Sequence, residues 1–156
     1  MLKKYQKDEV TMEYISDKLV KLIENNADQL TKNWLHDVQK NPTTPTYHTY
    51  DEKKLYKRAF DVYSRLSKWI SRETSKQEIA RHYITLGINR RKEGFALSEI
   101  IQALIISRRH VWLKVLSDGF LDSALELYKA MQLNNRVILF FDRAIYYTAL
   151  GYEKKD

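Results

Sequence analysis

The chain has no cysteine among its 156 residues, which excludes a disulfide scaffold, a thiol nucleophile, thiolate-held zinc and iron–sulfur clusters. It has only four glycines and two prolines. Both prolines fall in Asn41-Pro42-Thr43-Thr44-Pro45-Thr46, so elsewhere nothing of this kind stops a helix. Long hydrophobic runs are also missing. With 30% charged residues and a mean hydropathy of −0.56, no stretch approaches the roughly 18 apolar residues of a membrane span. Residues 1 to 24 interrupt their apolar positions with Lys3, Lys4, Lys7, Asp8, Glu9, Glu13 and Asp17. They lack the apolar region of a secretory signal, and a cytoplasmic protein is expected. Catalytic patterns are absent too: the sequence has no GxSxG, HExxH, P-loop, GxGxxG or EF-hand loop. His36, His48, His82 and His110 share no i, i+3 or i, i+4 spacing, so no local metal-ligand pair exists. The expectation is a protein that is not an enzyme and carries no cofactor.

What is present is enough apolar material, 44% of the residues, to fill the core of one domain spanning residues 1 to 156. The net charge is +7 and the pI is near 9.4, which raises the question of nucleic acid. The excess is spread evenly, +4 over residues 1–76 and +3 over residues 77–156. Its densest clusters are Arg90-Arg91-Lys92 and Arg108-Arg109. A solvated basic surface accounts for this pattern. A basic helical nucleic-acid-binding protein is the alternative function, although no helix-turn-helix pattern with polar recognition residues accompanies the charge.

Apolar positions recur with a period near 3.6 in six segments and almost never alternate with period 2, which predicts an all-α fold. The first helix is expected over residues 7 to 25 and the second over 27 to 40, ended by the proline segment. Thr49-Tyr50-Asp51-Glu52 fits a capping box, placing the start of a third helix near residue 50 and its end before Ser75. A fourth, from 76 to 93, stops at Gly94. The fifth runs from 97 to 117. The last, from 121 to 151, would be about 46 Å long in a domain about 40 Å across, so it bends near Asn134-Asn135 or protrudes. Its wide apolar stripe suits a core or a second copy of the chain.

Placed at 100° per residue, the fifth helix gathers Leu97, Ile100, Ile101, Leu104, Ile105, Val111, Trp112 and Val115 on one face, with Arg108 at the centre. A guanidinium there needs a carboxylate, a carbonyl, water or an anionic ligand. Arg108 therefore faces the interior near Trp112, Leu104 and Tyr83, holding a small anion or pairing with Glu78 or Asp142. Arg90 follows Leu86 and Tyr83 on the apolar side of the fourth helix and joins the candidate site, unless it snorkels from the helix end. The other side of the fifth helix carries Ile106 and Leu113. With the final helix, that side is expected to form a homodimer face.

The run Gly87-Ile88-Asn89-Arg90-Arg91-Lys92-Glu93-Gly94-Phe95-Ala96-Leu97-Ser98-Glu99-Ile100-Ile101, followed by Arg108-Arg109-His110-Val111-Trp112 and Phe140-Phe141-Asp142-Arg143-Ala144, resembles the RsbRD-type N-terminal sensor domain. This is a globin-like family without haem, found in stressosome proteins and ahead of some histidine kinases. The resemblance implies a globin-like bundle of about six helices with a long C-terminal helix. It also implies a non-catalytic role in signal transduction or stress response as a homodimer, with a possible small-molecule ligand and no membrane attachment. The mapping places His82 on the helix that bears the haem ligand in true globins, a role it would take only if haem were bound. The sequence ends at Gly151-Tyr152-Glu153-Lys154-Lys155-Asp156 with no STAS or kinase output attached. The implied signalling therefore needs a separate histidine kinase or STAS-type partner, unless the chain is an excised domain.

Overall fold

A computed structural model describes residues 17–155. It is all-helical, with no strand among the described residues. Residues 17–25 are helical (α1), so the expected first helix is present where it can be described, and its residues 7 to 16 lie outside the described residues. A single turn residue, Asn26, whose side-chain amide donates to the Leu22 carbonyl at 2.7 Å, separates α1 from α2, Ala27–Lys40. The proline segment becomes a 3-10 turn, Pro45–His48, with Pro45 at its start, where a missing N–H costs nothing.

The expected third helix is two: α3, Glu52–Ser64, and α4, Leu66–Ile70, divided at Arg65. Its cap also differs from the expectation. Asp51, not Thr49, accepts from a free helix N–H, that of Lys54, because Thr49 is taken up in closing the 3-10 turn. Helix α5, Lys76–Lys92, starts at Ser75, whose hydroxyl accepts from Glu78 N. It ends as the sequence predicts: Gly94 has φ +92°, Phe95 N donates to Arg90 O and Gly94 N to Arg91 O, and Phe95 is driven into the core. Helix α6 covers Leu97–Asp118, and α7 covers Ala124–Tyr152 without a break at Asn134-Asn135.

At 29 residues, α7 is about 44 Å long. Its buried positions run from Lys129 to Gly151, while Leu125, Leu127 and Tyr128 in its first turns are exposed. The N-terminal end is therefore the part that outruns the core. Helices α5 and α7 approach backbone to backbone. A Cβ on Gly87 would lie 2.1 Å from the Thr148 carbonyl oxygen, and one on Gly151 would lie 2.1 Å from that of Ile84. Only glycine lets these two backbones meet so closely. Around this seam an aromatic cluster fills the core, with Trp69, Tyr83, Phe140 and Phe141 in successive ring contacts.

Candidate functional site

On its other side α5 faces α3 across a cleft of about 830 Å³. Helices α3 and α5 form the walls, and Trp34 of α2, Ala103 and Ser107 of α6 and Phe141 of α7 form the floor. The rim is exposed and polar, with Lys57 on α3 and Arg81, Thr85 and Asn89 on α5. The floor is closed to water: Ala103 is 4% and Phe141 1% exposed. The open part of the cleft is thus the groove between the outer faces of the two walls. The floor is firm, since Trp34 Nε1 donates to the Ala103 carbonyl at 3.0 Å and Tyr63 donates its hydroxyl to the Ser107 carbonyl at 3.0 Å.

One end of the cleft is built around a carboxylate. Glu93, in the turn after α5, accepts from Arg58 Nη2 at 2.6 Å, from Arg90 Nη1 at 2.8 Å and from the Tyr50 hydroxyl. Arg58 also lies over the Tyr50 ring, 5.3 Å from its centre. Burial alone would raise the Glu93 carboxyl, but the bonds from Tyr50 and Arg58 and the charge of Arg90 outweigh it and hold the pKa down to about 2. Burial, with the neighbouring Arg58 charge, pulls Arg90 below its ordinary value. A second carboxylate, Glu99, pins the adjoining turn, accepting from Thr46 N at 2.6 Å and Thr46 Oγ1 at 2.7 Å.

Two residues of this cleft each carry a buried polar atom without a partner: Arg58 at Nη1 and Tyr83 at its hydroxyl. Burying a donor without an acceptor costs about 1–3 kcal/mol. Toward the other end, the His82 ring rests 4.8 Å from both Trp69 and Tyr83. His82 is exposed as a residue, but partial desolvation of its ring against these neighbours lowers its pKa, only partly opposed by the Asp61 charge. Among the described residues no group of three or more His, Asp or Glu could hold a metal ion.

Of the residues the sequence singled out, Tyr83, Arg90 and Leu104 line the cleft together, and so does His82. Arg108 and Trp112 stand outside its lining. Arg108 does not face the interior: its side chain is 32% exposed and sits 3.7 Å from Asp142, which is 61% exposed, in a surface ion pair. The reason lies in the rotation of α6. Its buried residues, among them Ile100, Ala103, Ser107 and Val111, centre about 110° around the helix from the axis the periodicity suggested. Ile106 is buried in the same rotation, at 1% exposure, so it is no part of a free dimer face, whereas Leu113 is exposed.

The residue missed was Arg58. Its signal was present: it flanks the Leu55, Ala59, Val62 stripe of α3. The Arg90-x-x-Glu93 spacing likewise foretold one of the two guanidiniums on that carboxylate. Comparison of the chain with protein-family models, with curated proteins and with solved structures found no match. Among the described residues no helix is long and apolar enough to cross a membrane.

Proposed function

We propose that this is a non-catalytic sensory or regulatory domain of globin-like build. It works as a homodimer, takes up a small apolar or anionic ligand without haem, and acts on a separate partner protein in the cytoplasm. One observation carries the reading: α5 is a shared wall, with a cleft on one face and a backbone-to-backbone seam to α7 on the other. A ligand that parts α3 from α5 shifts α5, and α5 cannot move without displacing α7, so occupancy reaches the far surface. That surface supports the dimer, since Leu113 and Leu116 on α6 and Tyr128, Met131 and Leu139 on α7 are all exposed. The resemblance to RsbRD-type domains suggests a histidine kinase or a STAS-type stressosome component as the partner.

Native mass spectrometry of the purified protein tests this in one measurement. A mass near twice 18.6 kDa with a co-purified small molecule is the expected result. A monomer that neither carries nor takes up any small molecule would overturn the reading, and a Soret band would replace it with haem ligation through His82. Retardation of random DNA or RNA that fades steeply with salt would favour the nucleic-acid alternative instead.

A further inference from the structure

We infer that the α3–α5 cleft is a site for an amphipathic organic anion about 10 Å long, with its charged group on Arg58 and its apolar body between the two helix walls. This rests on reading the chain as a ligand-binding domain and adds the chemical class of the ligand.

Charge is the first support. The ionised side chains lining the cleft are Lys57, Arg58, Arg81 and Arg90 against the single carboxylate of Asp61, and Asp61 is already held by Arg65 at 3.0 Å. Glu93 accepts from both Arg58 and Arg90, so one carboxylate serves two guanidiniums and one positive charge of that trio stays uncompensated. The second support is what the unpartnered atoms lack. Arg58 Nη1 and the Tyr83 hydroxyl both need an acceptor, and an organic anion supplies acceptors. Burial raises the Tyr83 pKa, so its hydroxyl keeps its proton and donates.

The third support is shape. Arg90 and Tyr83 are seven residues apart on α5, about 10 Å along the helix, and the cleft also presents Leu86 of the α5 wall and Leu104 of α6. A fully hydrated ion such as inorganic phosphate gains nothing from those side chains. A molecule with an apolar body does.

A matched pair of fluorescent probes tests the class directly. 8-Anilinonaphthalene-1-sulfonate and N-phenyl-1-naphthylamine share one aromatic body and differ by the sulfonate. Titrated into the intact protein, the sulfonate is expected to bind at least about tenfold more tightly, a difference of about 1.4 kcal/mol. Arg58→Met should abolish that preference while leaving the neutral probe's affinity unchanged, and Arg58→Lys should restore most of it. Should Arg58→Met not fold, Arg58→Gln, which keeps an N–H donor toward Glu93, keeps the question open to measurement, with an expected loss of about threefold or more for the sulfonate alone. Equal affinities for the two probes, or a preference indifferent to Arg58, would overturn the anion assignment and leave the ligand-binding reading standing. Binding of both probes undiminished by Leu86→Trp and by Leu104→Trp would put them outside the cleft and overturn the site. Failure of both probes to bind, with no adduct in native mass spectrometry, would remove the ligand-binding reading itself.

Discussion

The two faces of α5 are made by opposite packing rules. Toward α7, Gly87 and Gly151 carry no side chain, and at these two positions the backbones lie against each other. Toward α3, large side chains line a space that they do not fill. Close packing fixes a geometry, because interiors deform poorly, whereas an unfilled interface admits a second arrangement. One helix thus holds both the rigid contact and the adaptable one. The sequence supplies this by placing Gly87 one position after Leu86, on a different side of the same turn.

The sharpest way to break the contrast is to put a methyl group into the seam. Gly151→Ala sets a Cβ against the Ile84 carbonyl, where no flexible side-chain end can yield. It is expected to cost about 3 kcal/mol or more in urea unfolding, at the upper end of overpacking effects. Next comes the carboxylate that closes one end of the cleft. Glu93→Gln leaves Arg58 and Arg90 facing each other without a counter-charge and is expected to cost about 2 kcal/mol, less than for a fully buried cluster because the site is partly exposed.

The same group gives a pH signature. The folded Glu93 pKa lies near 2, below its unfolded value near 4.3. The stabilisation is therefore complete above about pH 4.3 and is lost as pH falls toward 2. The difference in unfolding free energy between wild type and Glu93→Gln should shrink over that window. His82 provides a smaller effect at higher pH. Its folded pKa is depressed by burial, so the unfolded chain takes up the proton first, and stability falls as pH drops through about 6.5. Because His82 is an exposed residue whose charge solvent screens, His82→Gln should flatten the stability profile there only slightly. The smallest effect is expected on the adaptable face: Leu86→Trp, directed at open space, should change stability by under about 0.5 kcal/mol. A large loss there would mean that the cleft is as tightly constrained as the seam.

Helix positions were legible wherever local chemistry sets them. Gly94 with its positive φ and the proline segment ended their helices within a residue or two of the expected places. The facing of α6 was not legible. Ile101, Leu104, Ile105, Leu113 and Leu116 lie outside its buried face, so apolar residues run nearly all the way round and periodicity alone leaves the inward direction undecided. Small residues decided it, since Ala103 and Ser107 allow neighbouring helices to approach. Arg108 was drawn into the site by a stripe that the fold does not bury. Arg58 was overlooked because its importance comes from Glu93, 35 residues away. Tyr83 and Arg90 were legible because both lie on the buried face of α5, where sequence spacing and packing agree.

The three tryptophans have an optical consequence. Trp34 stands in the cleft floor with its indole N–H tied to Ala103, Trp69 is one ring removed through Tyr83 and His82, and Trp112 packs against the core outside the cleft lining. Emission depends on the polarity and quenchers within a few ångströms of each indole. A molecule entering between α3 and α5 will therefore recolour Trp34 first, reach Trp69 only through its neighbours, and leave Trp112 as a built-in reference. The chain carries its own unlabelled gauge of occupancy.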